Sequence, residues 1–204
     1  MFRALYKIPF HPFDENYEIK RKKRNYLPAS LTVLFLLFLG SIVDYQFTDF
    51  VFNRNRTDQL NVWMMLLQTV VIFILWVIAN WAFCTLFDGE GNLEQIFCAS
   101  ALALIPYTAT LFIKTFISSF MIAEEGIFLV WLVNFGRIYS IVLLFIALQV
   151  IHGYSVKKTF FSIVVSVMGI AVILFIIMLL FSLVQQVAAF LVTVMTEFTL
   201  IIGG

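Results

Sequence analysis

Long apolar runs alternate with short polar connections along almost the whole chain. Five runs stand out: Leu27 to about Tyr45, about Leu60 to Phe87, about Glu94 to Phe120, Gly126 to Ile151, and Thr159 to Leu183. A helix that crosses a bilayer needs roughly 20 mostly apolar residues, and each run meets or approaches that length. The pattern predicts an all-α fold, a polytopic transmembrane helical bundle of five spans. An N-terminal arm (residues 1–26), a membrane domain (27–185) and a C-terminal amphipathic tail (186–204) divide the chain. The first run opens with Pro28, which a first helical turn tolerates. It follows a polar stretch with Asp14, Glu15 and Glu18 and no small-residue cleavage pattern, so it is expected to stay as an anchor.

Composition agrees with this layout. Hydrophobic residues make up 62% of the 204 and charged residues 12%, and mean hydropathy is +1.00, well away from the globular norm of about half apolar and a quarter charged. A net charge of +1 argues against a nucleic-acid binder, which needs a concentrated basic surface. The placement of the bases sets orientation. Arg3, Lys7 and the cluster Lys20, Arg21, Lys22, Lys23, Arg24 precede the first span, and Lys157 and Lys158 precede the fifth. With five spans these segments share one side, and basic loops stay in the cytoplasm. The loop from Asp44 to Gln59 balances Arg54 and Arg56 with Asp44, Asp49 and Asp58, and the other loop on that side holds Glu124 and Glu125. The N-terminus is therefore expected inside the cell membrane and the C-terminus outside.

The arm mixes Tyr6, Phe10, Phe13, Tyr17 and Ile19 with its charges. That composition predicts a segment lying in the interface with its bases near anionic headgroups, or else a docking surface for a soluble partner. In the tail, Ser182, Gln186, Thr193 and Glu197 form a polar stripe at helical spacing, with Val187, Phe190, Leu191, Val194 and Phe198 on other faces. This predicts a helix that extends the fifth span or lies along the outer surface, with a stripe able to face another subunit.

Charge within the spans is sparse. Arg137 falls about midway along the fourth, where a cation needs a partner or water. Asn134 shares its helix face and Asn80 lies in the second span, so the three form a candidate intramembrane polar site. The competing reading is structural, with Arg137 bonded to helix ends or to an acid such as Asp44. Lys114, near the outer end of the third span, is expected to snorkel to the interface close to Glu124 and Glu125. Pro106 removes a backbone donor and should kink the third span. In the loop FDGEGNLEQ, Asn92 is placed to cap the next helix with Glu94 and Gln95 in its first turn. Asp88, Glu90, Glu94, Lys157, Lys158, Gln186 and Glu197 are the candidate partner contacts.

Other chemistry finds little support. Cys84 and Cys98 flank one short loop and read as small buried apolar residues, without metal-site spacing. His11 and His152 are expected near the cytoplasmic boundary, and no phosphate loop, HExxH or GxSxG motif is present. No catalytic residue, metal or cofactor is expected. Between Glu94 and Pro106 the coupling-helix motif of import permeases is not met, since Ser100 stands where its glycine belongs. Ala99, Ser100, Ala101 and Ala103 mark the third span as the internal seam. Trp63, Trp76, Trp81 and Trp131 should be packed or interfacial.

Three stretches carry a family resemblance: HPFDENYEIKRKKRN ahead of the first span, DGEGNLEQIFCASALALIPY leading into the third, and HGYSVKKTFFSIV opening the fifth. Over roughly Pro12 to Gln186 the layout resembles the Yip family of five-span membrane proteins in its bacterial form. The resemblance implies a membrane-embedded interaction protein and no enzyme. Eukaryotic members look like adaptors for Rab-type GTPases, but their Asp-Leu-Tyr-Gly-Pro signature is absent here. Bacterial members look like plasma-membrane proteins, some associated with carbohydrate uptake. The leading expectation is an accessory subunit of a larger membrane complex, such as a carbohydrate ABC importer, with the lipid bilayer and permease subunits as partners. The alternative is a small transporter or channel built on Arg137, Asn134 and Asn80.

Overall fold

The computed structural model describes residues 2–21, 25–53 and 60–203. Lys22, Lys23 and Arg24 of the basic cluster lie outside the described residues, as do Arg54, Arg56 and Asp58 and the side chains of residues 2–5 and 199–203. Among the described residues every regular element is helical. The order is α1 (Phe2–Phe10), α2 (Pro12–Lys20), α3 (Leu27–Phe47), α4 (Val62–Leu86), α5 (Leu93–Ala103), α6 (Ile105–Ser118), α7 (Gly126–His152) and α8 (Val156–Gly203). Five segments are long and apolar enough to cross a membrane, α5 and α6 together forming the third. The chain is a multi-pass membrane protein.

The helix ends are written locally. Asn25 accepts the Leu27 N–H at 3.0 Å where α3 begins, and Asn61 accepts the Met64 N–H at the start of α4. At α5 the expected cap is a reciprocal pair: Asn92 accepts from the Gln95 N–H at 3.2 Å, and the Gln95 side chain accepts from the Asn92 N–H at 3.1 Å. Gly153 ends α7 in the left-handed region, φ 69°. The third span breaks at Leu104, two residues before Pro106, as a missing donor predicts. There Ser140 Oγ accepts the Tyr107 N–H at 3.1 Å, so the break is buttressed from α7.

The small residues do form the seam. Ala99, Ala101 and Ala103 on α5 are at most 1% exposed, and Ile96 and Leu102 beside them are fully covered. Helices α3, α4 and α7 surround α5, α6 packs between α3 and α7, and α8 leans on α4. Trp76 donates to Ser100 Oγ at 3.2 Å, while Trp63 and Trp131 face outward.

The arm is more than a surface strip. Helices α1 and α2 fold as a hairpin onto α5 and α7, burying Ile8 and Ile19 in the same core as Ala29 and Ile151. The Tyr139 hydroxyl, midway along α7, donates to the Pro9 carbonyl at 2.5 Å. The Tyr26 hydroxyl lies 3.2 Å from the Glu15 carboxylate and 3.0 Å from that of Glu18, and Gln95 Nε2 donates to the Lys20 carbonyl at 2.7 Å. Lys20 also meets Glu90 at 2.7 Å, clamping the hairpin to the α4–α5 loop. Tyr6, Phe10, Phe13 and Tyr17 remain on its outer face.

Helix α8 takes the first of the two courses expected for the tail. It runs 48 residues without interruption, so the tail is an axial extension of the fifth span and does not fold back. At 1.5 Å per residue it measures about 72 Å, more than twice the hydrocarbon thickness. Its first half is anchored by Thr159, Ser162 and Ser166, all buried. Beyond Ile173 it leaves the bundle, and from Leu174 to Phe198 only Val194 is even partly covered.

Candidate functional site

The expected polar site separates into two. Asn80 is fully buried near the arm end of the bundle, where its Nδ2 donates to Ser166 Oγ at 3.1 Å. Its Oδ1 therefore faces His152 Nε2, 3.0 Å away, as acceptor, which places the ring proton on Nε2. His152, the last residue of α7, is 1% exposed, so it stands at the arm end of the span with its ring turned into the bundle. Its Nδ1 has no hydrogen-bond partner among the described residues and looks onto the glycine loop. A Cβ at Gly89 would come within 2.6 Å of that nitrogen, and one at Gly91 within 2.9 Å of Cε1. Glycine is what lets the loop lie against the imidazole.

Tyr154 closes the cluster. Its ring stacks on His152 with centroids 5.2 Å apart, and its hydroxyl reaches the carbonyls of Cys84 and Phe87, both at 3.0 Å. Burial, above all, pushes the Tyr154 hydroxyl well above the ordinary tyrosine range. Lys158 lies 4.4 Å above the same ring. Three helices and one loop thus meet on groups from Asn80 to Ser166, and the result is a pin. Nothing here positions a nucleophile against a base, and among the described residues no group of three His, Cys, Asp or Glu could hold a metal ion. Cys84 and Cys98 are both free and buried.

Arg137 and Asn134 lie elsewhere, in a groove on the opposite half of the bundle. This hollow, about 640 Å³, is walled by α6, α7 and the segment after α3, and Lys114 lines it too. Asp44 does not bond Arg137. It meets Lys114 at 2.5 Å, so Lys114 takes Asp44 and not Glu124 or Glu125, because α3 and α6 pack side by side. The Arg137 guanidinium instead sits 5.5 Å from the Tyr107 ring centroid. The track from Asn80 to Arg137 that a channel would need is not assembled.

The partner-contact candidates are scattered. Glu90 pairs with Lys20, whose hydrogen bond, more than its charge, holds that carboxyl below its ordinary range. Asp88 turns the loop with φ 55°. Gln186 and Glu197 are exposed along the free part of α8. Sequence reading missed His152, Ser166 and Tyr154 as a group, although Thr159, Ser162, Ser166 and Gly169 form a small-polar stripe at helical spacing that marks a packed face.

Set against known families, residues 6–180 match the Yip1 domain. The chain belongs to the Yip family. The Yip1 match takes in the arm hairpin from Tyr6 onward, both polar clusters and the anchored half of α8. It stops at residue 180, a short way into the part of α8 that has left the bundle. No curated protein and no solved structure matches the chain.

Proposed function

We propose that this Yip-family protein is a non-enzymatic subunit that works by packing against other membrane proteins. The observation that carries the reading is the free part of α8. Residues 174–198 present Phe175, Leu179, Phe181, Leu183 and Phe190 exposed, uncovered by the described residues of their own chain, and most of this stretch lies past the Yip1 match. An apolar rod longer than the bilayer requires a cover. Its polar stripe, with Gln186 and Glu197, gives that contact a register.

The complex we assign it to is a carbohydrate ABC importer of the bacterial plasma membrane, a reading supported by the resemblance to bacterial Yip proteins. The arm faces the cytoplasm and the end of α8 the outside, as the placement of Lys20, Arg21, Lys157 and Lys158 supports. Affinity purification in mild detergent with mass spectrometry tests both levels. The full chain should retain importer permease subunits, and a chain ending at Phe181 should lose them. Recovery of the full chain alone would sink the subunit reading. Partners other than permeases would leave the subunit and remove the importer. A cysteine at Lys157 should react with an impermeant reagent only after the cells are opened.

A further inference from the structure

A second hollow, sharing no residue with the Arg137 groove, lies beside the break in the third span. It holds about 560 Å³ and takes its lining from all five spans. Below the break α5 supports α4, but above it α6 packs between α3 and α7, so the space beside the outer half of α4 is left unfilled. The floor is covered: Leu37, Phe73 and Ser100 are buried, and Ser100 Oγ already accepts from the Trp76 ring nitrogen. The mouth opens between Ser41 of α3 and the exposed Gln68 and Ile72 of α4. Gln68 stands six residues, about 9 Å, inside the far end of α4. That helix has 25 residues, so at about 37 Å it overhangs a hydrocarbon of roughly 30 Å at both ends, and the Gln68 amide is within reach of the far boundary. Ile72 and Trp76 follow one and two helical turns deeper. Among the described residues neither the Gln68 amide nor the Thr69 hydroxyl makes a hydrogen bond, whereas Thr32, Thr85 and Thr108 each donate to the carbonyl four residues back. No charged residue lines the hollow.

We propose that this hollow binds one neutral single-chain amphipath from the leaflet at the far end from the arm. Its hydroxyl or ester head meets Gln68 and Thr69 at the mouth, and its chain runs down past Trp76 to Leu104, Leu144 and Ile170. The lining selects the class. Nothing in it would neutralise a phosphate or a carboxylate, and an unmatched charge is costly at that depth. The head finds an amide and a hydroxyl whose hydrogen bonds lipid tails cannot supply. The volume falls within the roughly 300–1,000 Å³ that encloses one small ligand, and is less than the two chains of a phospholipid fill. The reading does not rest on what covers the free part of α8, since Ile170 belongs to its anchored half.

Trp76 places a reporter in the hollow. The full chain carrying Trp63→Phe, Trp81→Phe and Trp131→Phe, none of which lines it, keeps Trp76 as its one tryptophan. In phosphatidylcholine vesicles a brominated monoacylglycerol, whose bromines quench indole fluorescence, should quench Trp76 to saturation at about one probe per chain. Brominated phosphatidylcholine at equal bromine content should not saturate. Gln68→Leu should raise the half-saturating amount about fivefold, the scale of one lost hydrogen bond. Ser41→Phe, which narrows the mouth, should abolish the saturating part, and Gln46→Leu, on α3 but outside the hollow, should change nothing. If the tryptophan replacements prevent folding, native mass spectrometry of the unaltered chain with monoolein should show one retained molecule, fewer in Gln68→Leu. A chain that retains none overturns the proposal. Quenching that rises in proportion to bromine, alike for both probes, overturns it in favour of bulk lipid tails in a surface groove. Half-saturation unchanged in either variant, once shown folded, overturns it too. Tighter saturation by a brominated fatty acid than by the monoacylglycerol overturns it in favour of an anionic ligand.

Discussion

Asn80 is held at both ends of its amide, by Ser166 and by His152, with none of its surface exposed. Replacing it with leucine takes a bond from the Ser166 hydroxyl and from the buried His152 imidazole at once. Hydrogen bonds between helices in a bilayer contribute about 0.6–1.7 kcal/mol each, so Asn80→Leu should lower the thermal midpoint in detergent clearly. Ser166→Ala, which breaks only one of the two bonds, should lower it less. An Asn80→Leu midpoint equal to wild type would show that the pair is ornamental. At this scale the sequence was partly legible. The Asn92 and Gln95 capping box is a local pattern, and Pro106 acts on its own backbone, so both could be read in place. Lys114 and Asp44 are 70 positions apart and Asn80 and His152 are 72. Their choice of partner depends on which helices touch, and no local spacing carries that information.

Helices show the same division. Hydropathy located all five spans because the bilayer demands a fixed apolar length, but it left open whether the fifth helix would continue into the tail. Ser182, Gln185 and Gln186 look like an exit from the membrane, yet none of them breaks a helix, and no proline or glycine intervenes between Gly169 and Gly203. The anchored half of α8 depends on Gly169, where a Cβ would collide with the Phe83 ring of α4. Gly136 plays the same part between α7 and Thr110 of α6. A bulky side chain at either position forces two helices apart, and overpacking of this kind costs about 1–3 kcal/mol. Gly169→Leu should therefore destabilise the protein by that order and raise the reactivity of Cys84, which lies on the α4 face toward α8. Cys98, on α5, should react as before. Equal protection of both thiols in the variant would mean that α4 and α8 are not held by this close approach.

On the scale of the whole molecule, the arm is joined to the bundle by two latches that respond to opposite ends of the pH scale. The first is Lys20 with Glu90. The Glu90 carboxyl is held below its ordinary value by that lysine, so the folded arm favours the ionised form. Its contribution is complete above the unfolded carboxylate value, about 4.3, and disappears as the pH falls through the lowered one. The pair is exposed, so salt should weaken it as well. The second latch is Tyr26 against Glu15 and Glu18. Burial first, and then the hydrogen bond to Glu18, raise the Tyr26 hydroxyl far above its ordinary range. The fold thus favours the protonated phenol, and this contribution begins to fall once the pH passes about 10, where the unfolded side chain ionises. Limited proteolysis at the Lys20–Arg21 bonds, read across pH with an enzyme active throughout, should show a broad plateau of protection with losses at both extremes. Glu90→Gln should remove the acidic loss and its salt dependence while leaving the alkaline limb, and Tyr26→Phe should do the reverse. Protection that changes with pH in the same way in both variants would mean that the hairpin is held by Ile8 and Ile19 in the core and that neither latch governs its release.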